Sequence, residues 1–304
     1  PLSTNSYPKQ LLKLTNERSM VQNTYDRAKH LSKHVYIVPD ISHAHHIKEQ
    51  LPELSEKNFV VEPGRRGTAN CIVAALAHIS KTHGVDEPIA FVSADHHIRD
   101  TDGFAHSFNL AAEVSSSKSK IVLVGIEPTY PATGFGYIER DGDVDGFNGV
   151  FKVASFKEKP EFEVAKKYMA AGKYLWNCGY FVGSTSTFLD EMEKYAPALK
   201  KNYDRLVKID DVASKEYEEQ ESLKQTRSDG TLVFKTPDEN MNCFLTAVGD
   251  LIGIAQARSL WKSILAGASE ETVIAAVSLI GRRVAGVITI TVAIYTTGEC
   301  MGWW

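Results

Sequence analysis

Short β-branched runs alternate with amphipathic stretches over the first two thirds of the chain. "HVYIVPD" reads as a buried strand and "SHAHHIKEQLP" as the helix after it. "NFVVEP" reads as the next strand, and "TANCIVAALAHISKTHG" as a helix closed by a C-terminal glycine. "IAFVSAD", "DGFAHSFNLAAEVSSSK" and "KIVLVGI" continue the pattern as strand, helix and strand. Alternation of this kind predicts βαβ units, hence an α/β fold with a mostly parallel sheet and helices on both faces. Ligands of such sheets bind at the carboxyl ends of the strands, so the loops there are where chemistry is expected. Further on, Thr187 to Val207 and Asp210 to Glu221 read as charged, solvent-facing helices. From about Asn242 the charge density falls and small apolar residues take over.

One apolar stretch is long enough to span a bilayer, "VIAAVSLIGRRVAGVITITVAIY" from Val273 to Tyr295. Arg282 and Arg283 fall at its middle, and each would cost roughly 2.5–3.5 kcal/mol there. Two short apolar strands, "TVIAAVSLI" and "VAGVITITVAIY", joined by a turn, are the reading that avoids this cost. Composition adds two exclusions. A formal net charge of -4 argues against a general nucleic-acid binder. The four cysteines, Cys71, Cys178, Cys243 and Cys300, are scattered without C-x-x-C spacing and read as reduced thiols of a cytoplasmic protein.

The loops carry the unusual residues. Lys9, Arg65, Arg66, Lys157 and Lys159 follow strands or turns, where clustered cations suit phosphate, although for any single lysine solvated surface charge is the competing reading. In "FKEKP", strand alternation puts Phe156 and Glu158 on one face and Lys157 and Lys159 on the other. Asp95 ends a strand, a place that suits Mg2+ with phosphate co-ligands and equally a helix N-cap. His43, His45, His46, His96 and His97 fit no standard zinc spacing. Gly134, Gly136 and Gly179 lie beside aromatic residues, and Thr133, Glu158 and Asn177 supply the hydrogen-bonding groups that a sugar ring needs. Tight hairpin turns explain the same glycines. No G-x-S-x-G, H-E-x-x-H or G-x-x-x-x-G-K-[ST] motif occurs.

Taken in order, five of these tracts resemble the mannose-1-phosphate guanylyltransferases, within the sugar-phosphate nucleotidyltransferases. Glu62, Pro63, Arg66, Thr68 and Ala69 match E-P-x-x-R-N-T-A, with Gly67 in place of the asparagine. Ser93-Ala94-Asp95-His96 matches P-A-D-H, and Pro131 to Ile138 matches P-E-T-G-Y-G-Y-I. Phe156 to Pro160 matches F-x-E-K-P, and Tyr174 to Gly179 matches Y-L-W-N-S-G. The resemblance covers roughly residues 1 to 240.

It implies a three-layer α/β fold of the nucleotide-diphospho-sugar transferase (Rossmann-like) type. It implies GTP and mannose 1-phosphate as substrates, GDP-mannose as product and Mg2+ as cofactor, with no nucleic acid and no membrane; a homodimer is compatible with it. Lys9 and Lys159 would contact phosphates and Asp95 the metal. Thr133, Gly134, Glu158, Asn177 and Gly179 would lie around the mannose, and Glu62, Arg66 and Thr68 near the guanosine. Two alternatives stay open: transfer to another sugar 1-phosphate, and a non-catalytic nucleotide-sugar-binding subunit.

In the family, the tract matched by Pro1-Leu2-Ser3 and Pro8-Lys9-Gln10 follows a strand and a glycine-rich phosphate loop. The resemblance therefore places that strand and loop before Pro1, and the chain as given is expected not to make GDP-mannose on its own. Residues 241–304 match nothing recognised in the family, through either divergence or a slip of reading frame.

Overall fold

The computed structural model describes Ser3 and residues 7–62, 64, 67–208, 273–277 and 291–295. These form a three-layer α/β arrangement. The helices are α1 (Met20–Leu31), α2 (Ala44–Gln50), α3 (Thr68–His83), α4 (Thr101–Lys118), α5 (Phe162–Ala171), α6 (Thr185–Tyr195) and α7 (Pro197–Leu206). The strands are β1 (His34–Val38), β2 (Pro88–Ser93), β3 (Ile121–Ile126), β4 (Gly136–Asp143), β5 (Val150–Lys157), β6 (Tyr174–Ser184), β7 (Val273–Val277) and β8 (Thr291–Tyr295).

The strands join in one sheet of order β1-β8-β2-β6-β3-β7-β5-β4. β8 runs parallel to both β1 and β2, and β7 parallel to β3. β6 is antiparallel to β2 and β3, and β5 to β7 and β4. Followed across the sheet, these pairings leave only β5 and β6 opposed to the common direction, so the sheet is mostly parallel.

Period-2 burial explains the layers. Val35 and Ile37 of β1 and Ala90 and Val92 of β2 enter one core with α1 and α4, which contribute Val21, Tyr25, Phe104 and Phe108. Tyr36, Val38, Ile89 and Phe91 enter the opposite core, against α3, α6 and α7. Both faces of these strands are covered, which is why they read as continuous apolar runs.

Three expectations change. "NFVVEP" forms only isolated parallel bridges, Ile37 with Phe59 and Asp40 with Glu62, because it lies alongside β1 too briefly for a ladder. The helical stretch from Thr187 to Val207 is two helices, since Pro197 stands at the first turn of α7 and ends α6 before it. The apolar region from Val273 to Tyr295 does hold two strands, but they go to separate places: β7 between β3 and β5, β8 between β1 and β2. The sheet thus extends past the division drawn at residue 241. The helix read over Asp210 to Glu221 lies outside the described residues, as do Cys243 and Cys300. Cys71 and Cys178 are buried, and burial pushes the Cys178 thiol up to about 12, consistent with a reduced, unreactive side chain. Among the described residues no helix is long and apolar enough to cross a membrane.

Candidate active site

Asp95 sits two residues past β2, at the carboxyl edge of the sheet, and is 5% exposed. The Ser93 hydroxyl donates to its Oδ1, and Lys9 Nζ lies 3.6 Å from its Oδ2. Lys9 belongs to a single 3-10 turn, Lys9–Leu11, whose buried Gln10 and Leu11 anchor it. The loop carrying Asp95 is pinned from α1. Thr24 donates to the Ala94 carbonyl at 3.2 Å, and Arg27 donates to the His96 carbonyl at 2.7 Å. Sequence reasoning assigns no helix to α1. A signal for it is nevertheless present: Ser19 and Gln22 form a reciprocal capping box at the N-terminus.

His96 links this group to the next. Its Nδ1 and the Tyr180 hydroxyl are hydrogen-bonded, and the rings meet edge to face at 5.1 Å. Burial lowers the His96 pKa to about 4; Asp95 opposes that shift, while Lys9 and Arg27 add to it. At neutral pH the imidazole is therefore uncharged. Tyr180 follows Gly179 in β6. Here β6 bulges: three residues of β3, Leu123 to Gly125, stand against five of β6, Phe181 to Asn177. Gly179 takes φ 68°, and the Asn177 side-chain oxygen accepts its backbone N–H at 3.2 Å. Bulges re-aim side chains beside functional sites. Tyr180 is the residue that motif matching passes over, since a tyrosine in an apolar strand reads as core.

Asn177 also faces Gly136 across the β4–β6 ladder. A Cβ at Gly136 would lie 3.2 Å from Glu158 Oε2 and 2.9 Å from the Phe156 ring, so Glu158 packs over a position that only glycine leaves open. Lys159 Nζ lies 3.8 Å from Glu158 Oε1. Burial raises the Glu158 pKa, with Lys159 opposing. The alternation expected in "FKEKP" fails past Lys157, where β5 ends: Lys159 adopts φ 35°, and the pair Glu158 and Lys159 come together instead of parting. Thr133 is exposed and Gly134 half-buried in the loop before β4. Tyr130 and Phe135 from the same loop stack edgewise on Trp176 at 4.9 and 5.0 Å.

A left-handed lysine is strained, and such strain is retained where the side chain has a task. Lys159→Gly is expected to raise stability by about 1 kcal/mol through relief of that strain. The same change is expected to weaken phosphate-ligand binding about tenfold or more. Urea unfolding and calorimetric titration check the two halves; a glycine variant that loses stability would show that φ 35° carries no strain.

Glu62 is 4% exposed and meets Asp40, at the end of β1, through paired backbone bonds: Glu62 N–H to the Pro39 carbonyl and Ile41 N–H to the Glu62 carbonyl. Thr68 opens α3 behind Gly67 at φ 82°, so the first-turn N–H groups of a 16-residue helix lie beside this segment. Arg66 lies outside the described residues. The structure thus gives a group of Lys9, Asp95 and His96, joined through Tyr180 to Gly179, Asn177, Gly136, Glu158 and Lys159. Glu62 and Thr68 stand on the β1 side of the same sheet.

For a divalent ion, Asp95 is a single buried carboxylate at a strand end. Among the described residues, no three histidine, cysteine or acidic side chains are placed to hold a metal. That donor set suits Mg2+, which takes one or two carboxylates and completes its shell with water and substrate phosphate. It does not suit zinc.

Residues 1–226 match the family model described as "Nucleotidyl transferase". The chain is 36% identical over 202 residues to the "Xanthan biosynthesis protein XanB" of Xanthomonas campestris pv. campestris (strain B100), covering 66% of this chain and 42% of that protein. It is 35% identical over 211 residues to the "Mannose-1-phosphate guanylyltransferase RfbM" of Salmonella typhimurium, covering 68% and 43%. The chain spans about two fifths of the length of these relatives. Among solved structures, a "mannose-1-phosphate geranyltransferase" from Thermus thermophilus superposes with a TM-score of 0.62 at 22% identity, covering 72% of this chain and 63% of that one, and shares the fold. A "mannose-6-phosphate isomerase" from Helicobacter pylori superposes with a TM-score of 0.57 at 28% identity, covering 66% and 75%. With the matched family model spanning most of its length and the motif loops gathered at one sheet edge, this chain belongs to the nucleotidyl transferase family.

Proposed function

We propose that the chain carries the nucleotidyl-transfer site of a mannose-1-phosphate guanylyltransferase, which joins GTP and mannose 1-phosphate to give GDP-mannose and pyrophosphate. The observation that supports this best is Lys9 beside the buried Asp95 at the carboxyl end of β2, tied through His96 and Tyr180 to the bulge carrying Asn177 and Gly179. Such an edge can present a cation and a carboxylate to a triphosphate on one side and hydrogen-bonding groups to a sugar on the other. The names of the curated relatives point to the same substrates.

In this reading an oxygen of mannose 1-phosphate attacks the α-phosphorus in line, and pyrophosphate leaves; the protein's part is positioning and charge neutralisation. Lys9 and Lys159 bring positive charge to the phosphates. Glu158 accepts from sugar hydroxyls, and Asn177 donates through its amide nitrogen while its oxygen holds the bulge. Glu62, Arg66 and Thr68 take the guanosine side, and Thr133 and Gly134 the sugar side. Asp95 would hold Mg2+, which when bound supplies Lewis-acid neutralisation of phosphate oxygens. The neutral His96 keeps the Asp95 loop in place without competing as a cation. The reading places the protein in the cytoplasm, where nucleoside triphosphates are made, and a homodimer is compatible with it.

Calorimetric titration with GTP and with mannose 1-phosphate, each in Mg2+ and in EDTA, tests it. Expected are binding of both ligands and Mg2+-dependent tightening of GTP. Preference for UTP or for glucose 1-phosphate would replace this reading with another sugar-1-phosphate transferase. Tight binding of GDP-mannose without pyrophosphate exchange, in a version of the chain extended to the length of its relatives, would favour the non-catalytic alternative.

A further inference from the structure

Arg27 is a buried residue of α1, 6% exposed. A guanidinium taken out of water is costly unless a carboxylate or a full set of acceptors answers it. Among the described residues Arg27 forms no ion pair: its neighbour Asp26 is held instead by Arg18 at 2.8 Å and Lys29 at 3.7 Å. Its Nε is buried without a hydrogen-bond acceptor, and its Cζ lies 5.9 Å from the centroid of the Phe104 ring. Burial lowers its pKa, with Tyr180 and Asp26 opposing, but a guanidinium starts so high that it stays charged.

What the guanidinium does hold is the loop of Asp95. One nitrogen, Nη2, donates to the Thr24 hydroxyl at 2.8 Å and to the His96 carbonyl at 2.7 Å. Thr24 in turn donates to the Ala94 carbonyl at 3.2 Å. The carbonyls on both sides of Asp95 are thus tied to Arg27, one directly and one through Thr24. The local charge follows the same geometry. The charged groups that act on the His96 ring are Asp95, Lys9 and Arg27, one carboxylate against two cations. The loop therefore carries an excess of positive charge, and away from water such a charge acts over a longer distance than at the surface. An anion at the carboxyl edge of β2 balances it. For stability alone, a neutral hydrogen-bonding side chain would serve the two acceptors without the cost of burying a charge.

We infer that Arg27 is a positioning residue of the candidate site: it sets the Asp95 loop through the two flanking carbonyls, and its unbalanced charge favours a polyphosphate at that edge. The guanidinium lies too deep to touch a ligand, so it acts through the loop and through its field. The inference deepens the proposed function and rests on it only for the polyphosphate being that of a nucleoside triphosphate.

Two variants of the full chain separate the charge from the hydrogen bonds. Arg27→Gln offers two N–H groups to the same acceptors from a shorter stem and carries no charge. Arg27→Lys keeps the charge and gives up the planar fork. Calorimetric titration in Mg2+ with GTP, GMP and inorganic tripolyphosphate, beside urea unfolding of each unliganded chain, reads the two effects. Arg27→Gln is expected to unfold at a urea concentration close to the parent's, because the buried charge goes together with the bonds that it made. Its affinity for GTP and for tripolyphosphate is expected to fall about tenfold or more, and that for GMP by no more than about threefold. Arg27→Lys is expected to bind GTP within about threefold of the parent. A glutamine variant that binds GTP as the parent does would overturn the inference. So would one that loses GTP, GMP and stability in equal measure, since a structural role alone moves all three together. A lysine variant that binds GTP as poorly as the glutamine variant, or a parent that binds neither GTP nor tripolyphosphate, would overturn it as well. If tripolyphosphate binds the parent and follows the charge at position 27 while GTP binds no better than tripolyphosphate, the proposed function fails and the role of Arg27 stands.

Discussion

Asp95→Asn is expected to remove the Mg2+-dependent part of GTP binding and to lower pyrophosphate release about 10²–10³-fold in an active, extended form of the chain. The change keeps shape and removes charge. Ser93 can still donate to the remaining carbonyl oxygen, and the cores around the loop are untouched, so the fold should survive. The change ends an ion pair of 3.6 Å whose carboxylate is only 4% exposed, but the Lys9 side chain is 24% exposed and can turn to solvent, which limits the cost. What disappears is the charge of the carboxylate that the proposed function assigns to the cation. A variant whose GTP affinity responds to Mg2+ as the parent's does would show that Asp95 serves only as a structural acceptor for Ser93 and Lys9.

The residues that make this prediction are legible because they sit where local pattern and sheet logic agree. "IAFVSAD" is a strand by composition, and its last residue must emerge at the carboxyl edge. Asn177 and Gly179, read among the loops, stand instead inside β6, which runs antiparallel to its neighbours β2 and β3. Legibility ends where a side chain's direction depends on something not local. Counting along a strand puts Lys159 opposite Glu158, but the strand stops at Lys157, and one left-handed residue reverses the result. The bulge at Gly179 likewise shows only in the register against β3.

Helix α1 escapes sequence reading for a different reason. "MVQNTYDRAKHL" is polar over most of its length, yet it buries Val21, Tyr25 and Ala28 in the core and is held besides by a capping box and by contacts more than sixty residues away, at the Ala94 and His96 carbonyls. The strand Thr291–Tyr295 is the extreme case. Composition identifies it as an apolar strand, but nothing in the sequence says that its partners are β1 and β2, because that choice is settled by which gap in a distant sheet has both faces covered. Pairing over such separations also carries the loop-closure cost that makes parallel strands slow to form.

The second large effect is expected at Tyr180. Its ring packs edgewise on Phe108 at 5.4 Å and on Phe104 at 6.2 Å, while its hydroxyl meets His96. It therefore joins α4, the Asp95 loop and the β6 bulge at one point. Tyr180→Ala should cost about 3–5 kcal/mol, from lost burial and the cavity left behind. Against a typical total of about 5–15 kcal/mol, that is a large share of the fold's stability. A drop in Tm of roughly 10 °C is expected for a domain of this size. Tyr180→Phe separates packing from tethering. It keeps the ring contacts and removes one hydrogen bond, for about 1 kcal/mol of stability. It also unties the bulge from the metal loop in a measurable way: His96 loses its hydroxyl partner, so GTP binding in Mg2+ should weaken more than stability does. Paired urea titrations of both variants, with GTP calorimetry on the phenylalanine form, read the two effects. An alanine variant destabilised by less than about 1 kcal/mol would mean that the site collapses around the deletion, and that Tyr180 is not what fixes the Asp95 loop against β6.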